Sequence, residues 1–203
     1  MKSFKSIFYD YIHIPFLFFH ILAYRLSRNK NIIDEDIKRW SMYRKYVDLN
    51  NLTKSFVRLV IYNKPFRNTF YLRIGKHAFL LKRIFPGLNS IELTDDTEQI
   101  GGGLLLVHGH MTILNGSVRI GKNCTILHGV TIGADDHGVP KIGNNVYIGC
   151  NATIIGNVTV GDNVKIGACT LICKNVPDNT TVVGNPARIV KKDGMVCDIL
   201  LSN

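Results

Sequence analysis

A length of 203 residues suggests one or two domains, and 46% hydrophobic content is ample for a core, which argues against a disordered chain. The formal net charge of +10 raises nucleic acid as a partner. However, the basic residues are scattered over several helical segments without a recognisable binding motif, which leaves a solvated face or attraction to acidic sugar or lipid.

The two halves differ. Before Ile100 there are 17 Lys and Arg against 9 Asp and Glu; from Ile100 onward the count is 8 against 6. Every Phe and Tyr except Tyr147, together with Trp40, lies before Pro86. The stretch from Pro86 to Gln99 therefore marks a change of architecture. It divides the chain into a helical N-terminal domain over residues 1–90, a repeat domain over 91–190 and a tail over 191–203.

At the N-terminus the uncharged run from Tyr11 to Tyr24 contains His13, Pro15 and His20 and falls short of the roughly 20 residues that span a bilayer. No small-residue cleavage site follows it, against a signal peptide. The preferred reading is a buried helix in a bundle. Lys2, Lys5, Arg25, Arg28 and Lys30 sustain interfacial membrane contact as the alternative. From Asp34 to Phe85 the apolar spacing is helical, with Ile37, Trp40 and Tyr43 on one face and Leu52, Phe56, Leu59 and Val60 on a second segment. Lys64-Pro65 and Pro86-Gly87 punctuate it.

From Ile100 a branched aliphatic residue returns every six positions, at Leu106, Leu114, Ile120, Ile126, Ile132, Ile142, Ile148, Ile154, Val160, Ile166 and Ile172. A second small or β-branched residue follows four positions later, as at Val118, Cys124, Val130, Val146, Ala152, Val158, Val164, Thr170 and Val176. A period of six fits neither a helix nor an alternating strand and signals a parallel β-helix, three hexads to a coil. Glycine directly follows the aliphatic residue in seven of twelve units, where it is expected to relieve the backbone at a corner. The fold class is therefore α+β, helices followed by a β-solenoid.

Two interruptions break the period: two extra residues between Leu106 and Leu114, and four between Ile132 and Ile142. Corrected for these, His108, His128, Cys150 and Ala168 form one column along a corner, a groove for a long, thin ligand. His108 is expected at an outward corner, with a neutral imidazole suited to removing a proton. His110 falls at a position that normally faces inward and reads as a packed, hydrogen-bonded core histidine. The five cysteines, at 124, 150, 169, 173 and 197, show no paired metal spacing, so no metal is expected; an odd count without a secretory signal points to reduced thiols in the cytosol.

Three segments, Ile100-Gly101-Gly102-Gly103-Leu104 leading to His108, His128-Gly129-Val130-Thr131-Ile132-Gly133, and Val183-Gly184-Asn185-Pro186-Ala187-Arg188, carry a family resemblance. Together with the helical region they resemble the hexapeptide-repeat acyltransferases, in the serine acetyltransferase-like branch that includes surface-polysaccharide O-acetyltransferases. The resemblance covers roughly Asp34 to Val190. It implies a left-handed β-helix, a trimer or dimer of trimers, acetyl-CoA as donor, active sites between neighbouring subunits and a catalytic His at His108.

In that family a carboxylate before the repeat orients the base; Glu92 is the candidate, with Asp95 and Asp96 as alternatives. Gly133, Ala134, Cys150 and Ala168 match the small-residue track for coenzyme A, and Arg188, Lys191 and Lys192 stand where cations would pair with its phosphates. His128, Asp136 and His137 are the candidate acceptor contacts. Serine enzymes of the family carry Asp immediately before the catalytic His and an Arg-His pair in the interrupting loop. Here Val107 and Gly138-Val139 stand in those places. The expectation is an O-acetyltransferase acting on a saccharide hydroxyl, in the cytoplasm or at the inner face of the membrane. Serine O-acetylation and a non-catalytic trimeric scaffold are the alternatives.

Overall fold

The computed structural model describes residues 14–44, 51–92 and 99–201. Five α-helices come first: α1 (Leu17–Leu26), α2 (Lys30–Arg44), α3 (Leu52–Tyr62), α4 (Lys64–Ile74) and α5 (Ala78–Ile84). The side chain of Asn63 accepts from the Phe66 amide at 3.0 Å, and Pro65 sits in the first turn, where its missing N–H costs nothing. That cap explains why the chain breaks between α3 and α4 without a longer loop. Tyr24, Phe56, Phe66 and Phe70 stack and tilt against one another at the centre of the bundle, with Trp40 edge-on to Phe66.

After Glu92 the chain winds into coils of short strands. They form three sheets: β1 (Ile91–Glu92), β3 (Thr112–Leu114), β6 (Thr131–Gly133), β9 (Thr153–Ile155) and β12 (Leu171–Ile172) in the first; β4 (Arg119–Ile120), β7 (Lys141–Ile142) and β10 (Thr159–Val160) in the second. The third holds β2 (Leu105–Val107), β5 (Thr125–Leu127), β8 (Tyr147–Ile148), β11 (Lys165–Ile166) and β13 (Thr180–Val183). All neighbours in these coils pair in parallel.

Each aliphatic residue of the six-residue period, from Ile100 to Ile172, is buried, as is each small or β-branched residue four positions on. The repeat is thus the core of the prism, read twice per hexad. The glycines after the aliphatic residues do not serve the role expected of them. A Cβ on Gly121 would lie 2.6 Å from the backbone of Gly143 in the next coil, so glycine is required by the approach of stacked coils. The left-handed turns fall two residues later, on Asn123, Asn145 and Asn163, and Asn179 turns in the same way; their φ angles are 56–58°. Their side chains form a ladder, Asn145 to Asn163 at 3.1 Å and Asn163 to Asn179 at 3.0 Å.

The helices close the first coil. Trp40 donates from Nε1 to the Leu104 carbonyl at 2.9 Å. Arg73, 1% exposed, donates to both carboxylate oxygens of Asp36 and to the carbonyls of Ile100 and Gly101. Asp36 in turn accepts from the Leu104 amide. The open backbone groups of Ile100, Gly101 and Leu104 are thereby satisfied by Trp40 and one buried ion pair. At the other end the chain reverses: β14 (Arg188–Lys192) adds antiparallel to β13, and β15 (Met195–Leu200) antiparallel to β14. Residues 191–200, read from sequence as a tail, are part of that hairpin.

Candidate active site

The corner between the third and first sheets carries the histidines, and backbone pairing there changes the expected column. Val107 pairs with Leu127, an offset of 20 residues, whereas Ile113 pairs with Thr131, an offset of 18. The two extra residues are therefore inserted between Val107 and His110. Beyond the insertion, the Gly129 amide donates to the His110 carbonyl, as Asn151 does to His128 and Cys169 to Cys150. His110, His128 and Cys150 thus occupy equivalent rungs, followed by left-handed Met111, Gly129 and Asn151; Ala168 precedes left-handed Cys169 in the same way. His108 belongs to the insertion itself. It takes a φ of 55°, uncommon for a residue with a side chain, and its carbonyl accepts from the His110 amide.

Both imidazoles are exposed. The expectation of a core position for His110 fails, because a loop of two extra residues starts its hexad late and swings the fifth position out of the prism. His110 Nδ1 lies 3.1 Å from the Ser90 hydroxyl. Ser90 sits in the linker before β1, where no sequence pattern marks it. Glu92 pairs in register with Ile113, which is exposed, so its side chain leaves the outward face of the same sheet. It helps to line a groove of about 710 Å³ with Ser90, Met111, Gly129 and Asn151. Asp95 and Asp96 lie outside the described residues.

Gly133 and Ala134 are at the opposite edge of the first sheet from Cys150 and Ala168. Within one copy of the chain these four small residues do not form a single track. The same holds for the acceptor candidates: His128 is on the first corner, while Asp136 and His137 are exposed in the loop at the second, roughly 15 Å away at about 3.3 Å per residue across the sheet. That loop is a tight turn organised by Asp135, which bridges to Gly138 through both backbone groups and whose Oδ1 accepts from the His137 and Gly138 amides.

Arg188 donates to Asp198 across the hairpin at 2.5 Å, an exposed pair that raises the guanidinium's pKa and lowers the carboxyl's through their hydrogen bond. Lys191 and Lys192 are exposed on the same strand. Cys124 is buried, and desolvation pushes its thiol up to about 11, which makes it part of the core and a poor nucleophile. Chemically, the corner offers two solvent-facing imidazoles, of which His110 touches the groove through Ser90, and an exposed imidazole is suited to moving a proton from a hydroxyl.

Residues 140–174 match the family model described as bacterial transferase hexapeptide (six repeats). A serine acetyltransferase of Staphylococcus xylosus is 44% identical over 121 residues, covering 58% of this chain and 56% of that protein. The chain thus spans little more than half the length of this curated relative. Among solved structures, Neisseria gonorrhoeae serine acetyltransferase in complex with serine superposes with a TM-score of 0.62 at 26% identity, over 94% of this chain and 85% of that one. Serine acetyltransferase from Brucella abortus strain S19 in complex with coenzyme A gives 0.60 at 26%, over 82% and 69%. The architecture shared with these structures is the left-handed β-helix behind an N-terminal helical region. By its repeat over residues 140–174, its fold and these relatives, the chain is similar to serine acetyltransferases and to the hexapeptide-repeat transferases.

Proposed function

We propose that the protein is an acetyl-CoA-dependent O-acetyltransferase with His108 as general base. The observation that carries this reading is the two-residue insertion, which lifts an exposed imidazole out of the strand ladder at the head of a corner, in a chain whose relatives are named serine acetyltransferases. His108 takes the proton of an acceptor hydroxyl while that oxygen attacks the thioester carbonyl carbon. The carbon–sulfur bond then breaks, and the imidazolium returns the proton to the coenzyme A thiolate. Acetyl passes directly from sulfur to oxygen, so no side chain need be acylated. Glu92 is proposed to orient the base from the groove wall. Coenzyme A is proposed to lie along small residues, Gly133 and Ala134 at one edge, Cys150 and Ala168 at the other, with Lys191 and Lys192 toward its phosphates. Arg188 could join them only by exchanging Asp198 for phosphate.

For the acceptor, the relatives favour L-serine over the saccharide expected from sequence, and serine is the first reading. A specific observation keeps the neutral hydroxyl as the second: the position before His108 is a buried Val107, and Gly138-Val139 occupy the interrupting loop. Neither supplies the charges that an amino acid's ammonium and carboxylate require. His128, Asp136 and His137 are the candidate contacts in either case.

One assay tests both levels. Thiol release from acetyl-CoA is followed with L-serine and a panel of sugars at equal concentration, and the acetylated acceptor is read by mass. Turnover is expected with wild type, and a loss of about 10²- to 10⁴-fold in kcat with His108→Ala at little change in coenzyme A affinity. Saturable turnover of serine alone establishes the first reading, and turnover of sugar alone the second. No transfer to any acceptor and no coenzyme A binding would leave a scaffold.

A further inference from the structure

Helix α1 buries Leu17, His20 and Tyr24 and turns Phe18, Phe19, Leu22 and Leu26 to solvent, at 62, 50, 40 and 73% exposure. Helix α5 buries Ala78 and Leu81 and leaves Phe79 and Leu80 at 70 and 69%. The two helices are linked through the buried residues His20, Tyr71 and Phe85. The His20 ring stands edge-on to Phe85 at 5.2 Å between centroids. Its Nε2 is 3.1 Å from the Tyr71 hydroxyl, which also reaches the carbonyls of Leu81 and Phe85. Six large apolar side chains are thus held in the open on these two helices, on the half of the molecule that has an ample aromatic core without them. Soluble surfaces carry such residues singly; a concentration marks a contact.

The exposed ionisable side chains on and immediately beside these two helices are basic. Arg25 ends α1 and Arg28 follows it; Lys76 and His77 precede α5, and Lys82 and Arg83 end it; all six are exposed. Neither helix contains an Asp or a Glu. Two like copies meeting through this face would bring these cations together, which disfavours a symmetric pairing. Phe and Leu flanked by Arg and Lys instead match the boundary of an anionic bilayer, where rings enter the headgroup region and cations meet lipid phosphates. No helix among the described residues is long and apolar enough to cross a membrane, so the contact lies in the plane of the interface.

We propose that the α1–α5 face docks the protein on an anionic lipid surface. This does not depend on the reaction assigned above. The full-length chain is tested by flotation with vesicles containing phosphatidylglycerol and with vesicles of phosphatidylcholine alone, each at low and high salt. Binding is expected to the anionic vesicles, about tenfold or more tighter than to neutral ones, and weakened by salt. Phe79→Ser/Leu80→Ser and Lys82→Glu/Arg83→Glu alter only exposed side chains, and each should lower binding by about tenfold or more with unchanged thermal unfolding. The proposal fails if anionic vesicles are not bound, or if both variants bind as wild type does. It also fails if Phe79→Ser/Leu80→Ser reduces the mass in light scattering while wild type ignores vesicles, which would assign the face to a second copy.

Discussion

A histidine with no water around it resists its proton, and His20 is such a residue. Desolvation lowers its imidazole from 6.5 to about 4, the loss of solvent outweighing the backbone groups that favour the charged form. In the unfolded chain the same ring binds a proton below about 6.5, so the unfolded state takes up more protons than the folded one between these values. Stability should therefore fall as pH drops from 6.5 toward 4, by up to about 3 kcal/mol from this residue. Urea unfolding across that range should show the slope in wild type and a shallower one in His20→Leu; equal slopes would mean that His20 is solvated or ionised in the fold. The sequence marked His20 only as a polar residue in an apolar run, because its partner Tyr71 is 51 positions away. His110 shows the same limit. Its hexad position said inward, and two inserted residues, whose point of entry only strand pairing reveals, put it outside beside Ser90.

At the level of elements, the repeat was almost wholly legible, since a hexapeptide period dictates which side chains fill the prism and burial follows it at each position from Ile100 to Ile172. What the period does not encode is how the solenoid is closed. That task falls to Asp36 on α2 and Arg73 on α4, which carry the end of the bundle onto Ile100, Gly101 and Leu104. Neither residue stands out in sequence, and both read as ordinary charges on helix faces. Burial pushes the Asp36 carboxyl up, opposed by Arg73 and by the Leu104 and Gly103 amides. Removing one partner leaves a charge in the core, so Asp36→Ala should cost about 3–5 kcal/mol in chemical unfolding, whereas Asp36→Ala with Arg73→Met should recover a large part of it. A loss below about 1 kcal/mol for the single variant would mean that the interface between helices and solenoid tolerates water.

For the whole molecule, the first sheet is the face suited to assembly. Its strands β3, β6, β9 and β12 contain no charged residue, and their outward positions include Ile113 and Ile155, 44 and 38% exposed. The second sheet turns Arg119 and Lys141 outward instead. A flat face that is uncharged beyond Glu92 on its edge strand is a surface for another prism, and a closed ring of copies buries it without leaving one end open. The same face separates the two sets of small residues proposed for coenzyme A, Gly133 and Ala134 at one edge and Cys150 and Ala168 at the other. A cleft between adjacent copies can combine one edge from each, which a single copy cannot do. The protein should therefore scatter light as three times its 22.8 kDa chain mass, or a multiple of that trimer. Ile113→Lys together with Ile155→Lys should dissociate it and abolish acetyl transfer while leaving the far-ultraviolet circular dichroism of the solenoid intact. Full activity in a monomer would show that one copy holds the whole site, and would require the coenzyme A track to run along the corner of His128, Cys150 and Ala168 alone.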